Sequence, residues 1–170
     1  MYLSDFLAGL AHPVGGADHI LAMIAIGLWG VVAGGRAIWA WPAAFVTMVL
    51  MGFTAATLGL HVPLVQPVIS CSIVVLGLLI ALAVKAPLWL GAVIAGLFAF
   101  FHGHAHGTEA TASGMGFMAY ASGFLVATAA LHLVGIGGGL TLARSARGGM
   151  LRTAGSLITL SGLAVIAMPA

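Results

Sequence analysis

Six apolar runs follow one another along the sequence and restrict the folds open to it. They cover residues 13–34, 38–60, 64–84, 87–106, 114–142 and 150–168. A helix needs about 20 mostly apolar residues to cross the hydrocarbon core of a bilayer. Hydrophobic residues make up 62% of the chain and charged residues only 5%, so a soluble domain of this length could not bury its apolar surface. The sequence predicts an all-α polytopic membrane protein with six transmembrane helices in a single domain, residues 1–170.

The positions of the basic residues predict the orientation of these helices. Arg36 lies between the first two runs, Lys85 between the third and fourth, and Arg144, Arg147 and Arg152 flank the connection between the fifth and sixth. Cytoplasmic connections carry an excess of Lys and Arg, so we expect both termini on the periplasmic side of the bacterial inner membrane. The first ten residues contain no Lys or Arg and lack the basic region of a secretory signal. Either the chain has been trimmed or its first membrane helix is its own insertion signal.

Further features of the architecture follow from the same pattern. Residues 2–11 are expected to form a short amphipathic helix at the membrane interface. The first three and last three spans run in opposite directions, as in the 3+3 inverted repeats that are common among transporters. In the long fifth run, Gly135 and Gly137–Gly139 predict a weak point where the helix tilts or breaks.

The ionisable side chains are concentrated in two short segments. One is His12-Pro-Val-Gly-Gly-Ala-Asp18-His19 at the start of the first run, and the other is Phe101-His-Gly-His-Ala-His-Gly-Thr-Glu109 at the end of the fourth. Together they hold five of the seven histidines and two of the three carboxylates. The predicted topology places both segments at the outer face. Because ionisable groups are costly near lipid, these segments indicate a functional site.

The residue types in these segments favour a divalent transition metal. On a helix that continues to Glu109, the side chains of His102, His106 and Glu109 share one face, and His104 points elsewhere. Imidazole and carboxylate ligands without thiolate argue against copper(I) and structural zinc, and several imidazoles argue against magnesium and calcium. Two carboxylates would also neutralise a divalent cation in a partly desolvated site. Nickel, cobalt, iron(II) and zinc remain open.

Other interpretations compete with a transport site. An intramembrane zinc-dependent hydrolase would also gather His and Asp near a membrane face, although no Ser or Cys lies beside the histidines and no carboxylate is clearly free to act as a base. A metal sensor or a structural membrane subunit is a third hypothesis. His61 and His132 are interpreted as packing or hydrogen-bonding residues. The chain lacks the phosphate-binding motif GxxxxGK[ST], so no nucleotide is expected as a partner. All five basic residues lie in short connections between apolar runs, so they are interpreted as topology signals and no nucleic acid is expected either.

The two segments resemble the signature motifs of the HupE/UreJ family of nickel and cobalt transporters. HPxxGxDH matches residues 12–19 and FHGxAHGxE matches residues 101–109, and the similarity extends over nearly the whole chain, including LAMIAIGLWG at 21–30 and SIVVLGLLIAL at 72–82. The resemblance implies six transmembrane helices and no enzymatic activity. It implies uptake of Ni²⁺ or Co²⁺, with the choice between the two ions left open.

The resemblance also implies which residues hold the metal. Carried over by motif, they are His12, Asp18, His19, His102, His106 and Glu109. His104 is a weaker candidate, as is Gln66, which stands where many members have an acid and which offers an amide oxygen. The metal is cargo rather than a prosthetic group, with Zn²⁺ as a surrogate that such a site could also bind. The expected partners are the ion and the lipid bilayer, and the sequence is compatible with a homo-oligomer.

Overall fold

The structure, a computed structural model, describes residues 2–144 and 149–167. Within these ranges the regular structure is entirely helical. In chain order the helices are α1 (Tyr2–Gly15), α2 (Ala17–Ala33), α3 (Ala37–Thr57), α4 (Val65–Ala81), α5 (Leu88–Ala112), α6 (Phe117–Arg144) and α7 (Gly149–Ala167). Arg147 and the end of the predicted sixth span at residue 168 lie outside the described residues.

Helix length and composition identify a membrane protein. Four helices, α3, α5, α6 and α7, are each long and apolar enough to cross a membrane, and α1 and α2 pass the same test together as a bent pair. Helix α4 is apolar but has 17 residues, which gives it a length of about 25 Å. This length is at the lower limit for a spanning helix.

The N-terminal region differs from the sequence-based prediction. The short first helix does not end at residue 11, and the first span does not begin at residue 13. Instead α1 continues through Pro13 to Gly15, and α2 begins at Ala17 after a bend of 80°. Gly16 at the bend has an extended backbone, with φ −110° and ψ 123°. Glycine disfavours a helix by about 1 kcal/mol relative to alanine, so two successive glycines interrupt the helix where the hydropathy is continuous.

Helix α1 packs across the beginning of α6. Gly9 lies against the main-chain carbonyl of Tyr120, and Gly123 lies against the backbone of α1, so that a side chain at either glycine would collide with the facing helix. Asp5 Oδ2 accepts a hydrogen bond of 3.1 Å from the main-chain N–H of Gly116, immediately before the first turn of α6. This carboxylate caps α6 and holds the start of α1 against it.

Close backbone contacts at glycine also join the longer helices. Gly52 of α3 meets α5, and Gly103 of α5 meets the carbonyl of Val49 in α3. Early in the two helices Gly91 lies against Trp41, and near their ends Gly107 lies against Phe53, so α3 and α5 are parallel. Small residues let membrane helices approach closely and increase the packing between them. Helices α2 and α6 pair in the same way, and α4 packs against α7.

Helix α6 is continuous over 28 residues, so of the tilt or break predicted for the fifth run, the break does not occur. Its glycines admit α2 instead of interrupting the helix. Gly135 lies against the Ile24 carbonyl of α2, and Gly139 lies against the side chain of Val31. A glycine in a membrane helix can therefore mark a close neighbour instead of a weak point.

Two buried tryptophans close one end of the bundle. Trp29 Nε1 donates to the carbonyl of Val84 at 3.0 Å, and Trp41 Nε1 donates to the carbonyl of Leu88 at 2.9 Å. Their ring centroids are 4.1 Å apart. The α4–α5 connection is thereby fastened to both α2 and α3.

The basic residues lie at this same end. Among the described residues they are Arg36, Lys85, Arg144 and Arg152. They are found where α2, α4 and α6 end and where α3, α5 and α7 begin. The two histidine-containing segments lie at the opposite end of the bundle.

Candidate metal centre

The two histidine-containing segments meet where α2 begins and α5 ends. The ring centroid of His106 lies 4.6 Å from that of His12 and 4.4 Å from that of His19. His102 lies next to His19, with centroids 5.5 Å apart. The side chains of His12, His19 and His106 each offer a ligand nitrogen, and these atoms all lie within 4.8 Å of one another. We refer to His12, His19, His102 and His106 as the histidine cluster.

The length of α5 explains why its ligand candidates share a face. The predicted span ends at residue 106, but the helix continues to Ala112. His102, His106 and Glu109 therefore occupy successive turns of one face, as the spacing predicts. Gly103 and Gly107 lie against the backbone of α3. This close approach of α3 and α5 buries His102 and His106, which are adjacent to these glycines in the sequence. His102 is 0% exposed and His106 is 1% exposed.

The two carboxylates contact the rings of three histidines. Glu109 Oε2 lies 3.0 Å from His12 Nε2 and 3.3 Å from His106 Nδ1. Asp18 Oδ1 lies 2.6 Å from His19 Nδ1 and accepts a hydrogen bond of 3.0 Å from the main-chain N–H of His19. The carboxylates thus fix the orientation of the rings as well as supplying negative charge.

Several ring nitrogens of the histidine cluster are buried without a hydrogen-bond partner. Within the described part of the chain, this is true of Nε2 in His19, His102 and His106. His102 Nδ1 donates to the carbonyl of Phe98 at 2.9 Å. Metal-binding histidines commonly direct one nitrogen at a carboxylate or carbonyl and bind the ion through the other. Since buried polar atoms are nearly always paired, the unpaired nitrogens indicate a site for a cation.

A pocket leads to the histidine cluster from the surface. It has a volume of about 430 Å³ and opens at the bend between α1 and α2, lined by Ala8, Ala11, His12, Gly15, Gly16 and His19. The side chains of His12 and Glu109 are 36% and 56% exposed, whereas His102 and His106 are fully buried. Accessibility therefore decreases from α1 towards the interior of the bundle.

The weaker candidates are not part of the histidine cluster. His104 Nε2 donates to the carbonyl of Leu60 at 2.7 Å, so its ring points towards the connection after α3, as the helical spacing predicts. Gln66 lies exposed on the first turn of α4, and His61 is also exposed. The contacts described for the histidine cluster do not include these residues.

Two aromatic residues that the sequence did not single out support the histidine cluster. Phe124 packs against His106 with ring centroids 4.4 Å apart, and Tyr120 approaches His12 at 6.0 Å. Both lie on the first turns of α6 and are buried. Their four-residue spacing places them on one face of α6, which is the only sequence signal that could have identified them.

His132 continues the same row of α6, three turns beyond Tyr120. It was interpreted from the sequence as a packing or hydrogen-bonding residue. It does pack, since its ring lies against Phe45 with centroids 5.0 Å apart. However, neither of its ring nitrogens has a hydrogen-bond partner among the residues that the structure describes.

Comparison with known proteins gives a consistent result. The family described as HupE / UreJ protein matches residues 2–165. Protein HupE of Rhizobium leguminosarum bv. viciae is 41% identical over 172 residues, covering 98% of this chain and 86% of that protein. No solved structure matches the chain.

Proposed function

The chain belongs to the HupE/UreJ family, and from this membership and the histidine cluster we propose that it takes up Ni²⁺ or Co²⁺ across the bacterial cytoplasmic membrane. The family supports a role in nickel or cobalt uptake in general. One observation carries the proposal for this chain. Three buried Nε2 atoms, those of His19, His102 and His106, have no hydrogen-bond partner among the described residues, while the other nitrogen of each ring contacts an oxygen. The ring of His19 lies 4.4 Å from that of His106 and 5.5 Å from that of His102.

In the proposed metal site the nitrogens and the carboxylates have different roles. Its members are His12, Asp18, His19, His102, His106 and Glu109. The buried Nε2 atoms bind the ion, while Asp18 and Glu109 orient the rings and neutralise the charge. Two metal–nitrogen bonds of about 2.1 Å span at most about 4.2 Å. Because one ligand nitrogen from each of His12, His19 and His106 already lies within 4.8 Å of the other two, small side-chain movements suffice to close the site around an ion.

We further propose that α2 to α7 form six spans, with both termini and the histidine cluster on the periplasmic side. All described basic residues lie at the end of the bundle opposite the histidine cluster, which supports this orientation by the positive-inside rule. The 17 residues of α4 are just sufficient for a span.

The pairing of helices supports the proposed inverted repeat. Suppose that α2, α3 and α4 of one half correspond to α5, α6 and α7 of the other. The parallel pair α2–α6 then corresponds to the parallel pair α5–α3. The pair α4–α7 corresponds to itself. These three pairs are the most extensive contacts of the bundle apart from those of α1. An axis in the membrane plane would relate two such halves.

The membrane potential is a sufficient driving force for inward movement of the ion. Moving two positive charges inward across 100 mV is worth about 4.6 kcal/mol, which corresponds to more than about a thousandfold accumulation. This source requires no nucleotide, in agreement with the lack of a phosphate-binding motif in the sequence.

Uptake of radioactive nickel and cobalt into proteoliposomes tests the proposal. We expect His106→Ala to abolish uptake and Asp18→Asn to reduce it severely, because the first removes a ligand nitrogen and the second releases the ring of His19. His61→Ala is the matched control, since His61 is exposed and lies outside the histidine cluster. Uptake by His106→Ala equal to that of the wild type would refute the site.

The structure gives no support to the alternative of a zinc-dependent hydrolase. Both carboxylates at the histidine cluster contact histidine rings, so neither is free to act as a general base. The nearby Thr108 hydroxyl donates to the carbonyl of His104, away from the cluster.

A further inference from the structure

A second group of unpaired polar atoms lies deeper in the bundle than the histidine cluster. Oγ1 of Thr128 and both ring nitrogens of His132 are buried, and none has a hydrogen-bond partner within the described ranges. Thr128 is 0% exposed and His132 is 2% exposed. The two residues are four positions apart on α6 and share one face of it. His132 lies about 18 Å beyond Tyr120 along this helix, at 1.5 Å per residue.

Thr128 differs from every other threonine of the chain. Each of the others donates its hydroxyl hydrogen to the main-chain carbonyl three or four residues earlier: Thr47, Thr54, Thr57, Thr108, Thr111, Thr141, Thr153 and Thr159. This is the usual way in which a helix satisfies such a hydroxyl. The Thr128 hydroxyl makes no such bond, so its oxygen is free to act as a ligand inside the bundle.

Two phenylalanines lie between the histidine cluster and this second group of residues. Phe124, one turn before Thr128, packs against His106. The ring of Phe45 contacts both His132 at 5.0 Å and His102 at 5.8 Å. His102 also has an unpaired Nε2. Buried histidine nitrogens without hydrogen-bond partners among the described residues therefore occur both at the histidine cluster and in the middle of α6, with Phe45 between them.

We propose that His132 and Thr128 form an inner binding station for the divalent cation, which receives the ion from His102. This inference rests on the proposed uptake function. Polar groups inside a membrane bundle are costly and normally find partners or serve transport. A histidine that served only to join helices would be expected to form a hydrogen bond across the interface, and this one forms none within the described residues.

The composition of the inner station suits transient occupancy. It provides uncharged nitrogen and oxygen donors, whereas the histidine cluster is accompanied by the carboxylates of Asp18 and Glu109. A transported ion must be bound well enough to enter and weakly enough to leave. We therefore expect the inner station to bind Ni²⁺ or Co²⁺ more weakly than the cluster does, with water completing the coordination.

Two substitutions separate ligation from packing. His132→Phe keeps an aromatic ring against Phe45 but removes both nitrogens, and Thr128→Val keeps the shape of the side chain but removes the oxygen. The control is Thr159→Val, which removes a buried hydroxyl that donates to the carbonyl of Gly155 in α7. In proteoliposomes we expect the initial rate of nickel uptake to fall about tenfold or more in His132→Phe and severalfold in Thr128→Val, and to change less than about twofold in the control.

Binding to the purified protein provides the second measurement. The dissociation constant for the first Ni²⁺ should change less than about twofold in His132→Phe, since the histidine cluster is intact. In wild-type protein labelled with ¹⁵N-histidine, excess Co²⁺ should broaden the ring signals of His132, which the His132→Phe variant identifies.

The possible outcomes are distinguishable. Normal first-site binding with unchanged uptake in His132→Phe would overturn the inner station alone, as would His132 signals that remain sharp in excess Co²⁺. Equal losses of binding and uptake would also overturn it, because His132 would then have a structural role. A wild-type protein that neither binds nor carries nickel or cobalt would overturn the proposed function together with the inner station.

Discussion

Substitution of Glu109 by Gln tests how the carboxylates act at the histidine cluster. Glu109 Oε2 contacts His12 Nε2 at 3.0 Å and His106 Nδ1 at 3.3 Å, so one oxygen orients a ring from α1 and a ring from α5. The amide keeps the size of the side chain but removes its charge. It also places a donor and an acceptor where two acceptor oxygens had been.

The expected magnitude follows from these two contacts. Loss of a group that orients a metal-binding histidine typically weakens metal affinity about 10- to 100-fold, or about 1.4 to 2.8 kcal/mol. The Glu109 side chain is 56% exposed, so its more distant electrostatic effects are screened by water and salt. We expect a 10- to 100-fold rise in the dissociation constant for Ni²⁺, produced mainly by the short contacts to His12 and His106.

The assay is calorimetric titration of the purified protein with Ni²⁺. Asp5→Asn is the matched control, since it removes the same charge at the same end of the bundle. Asparagine also caps helices well, so the bond from Gly116 is retained. The effects of Glu109→Gln and His12→Ala should not be additive, because the two side chains are in contact. A Glu109→Gln dissociation constant within about threefold of the wild-type value would refute an orienting role for this carboxylate.

Other predictions concern pH and packing. Histidine ligands must be neutral to bind a metal, so uptake should fall when the external solution is acidified far enough to protonate the histidine cluster. Uptake that stays constant under strong external acidification would argue against histidine ligation. Gly103→Leu should destabilise the protein by more than about 2 kcal/mol, because its side chain would meet the Val49 carbonyl, whereas Gly15→Ala, which faces open space, should leave thermal unfolding nearly unchanged. Trp41→Phe should lower stability by about 1 kcal/mol, since the bond to the Leu88 carbonyl is lost, and an unaltered unfolding midpoint would contradict that.

Much of the site was accessible from the sequence because it depends on helical periodicity. His102, His106 and Glu109 are spaced for one face, and α5 does extend far enough to present them together. The meeting of the two motifs at one end of the bundle follows from the alternating direction of successive spans. Both inferences need only the positions of apolar runs and charged residues.

The bend at Gly16 could not be predicted from hydropathy, because the apolar run that starts at residue 13 continues through it. The break follows from backbone preference at two successive glycines and from the packing of α1 on α6, which is a long-range contact. The special environment of His132 is likewise invisible in the sequence. The ring of His132 packs against Phe45, and its nitrogens have no hydrogen-bond partner within the described bundle. Neither property follows from the spacing of residues along the sequence.

The tryptophans at the basic end of the bundle limit how that end can open. Both indole N–H groups bond to carbonyls around the α4–α5 connection, so α2 and α3 cannot move away from it without breaking these bonds. Two such bonds are worth only about 2 kcal/mol in total, a few times the thermal energy. This end of the protein is therefore held together by two weak bonds, which thermal motion can break and re-form.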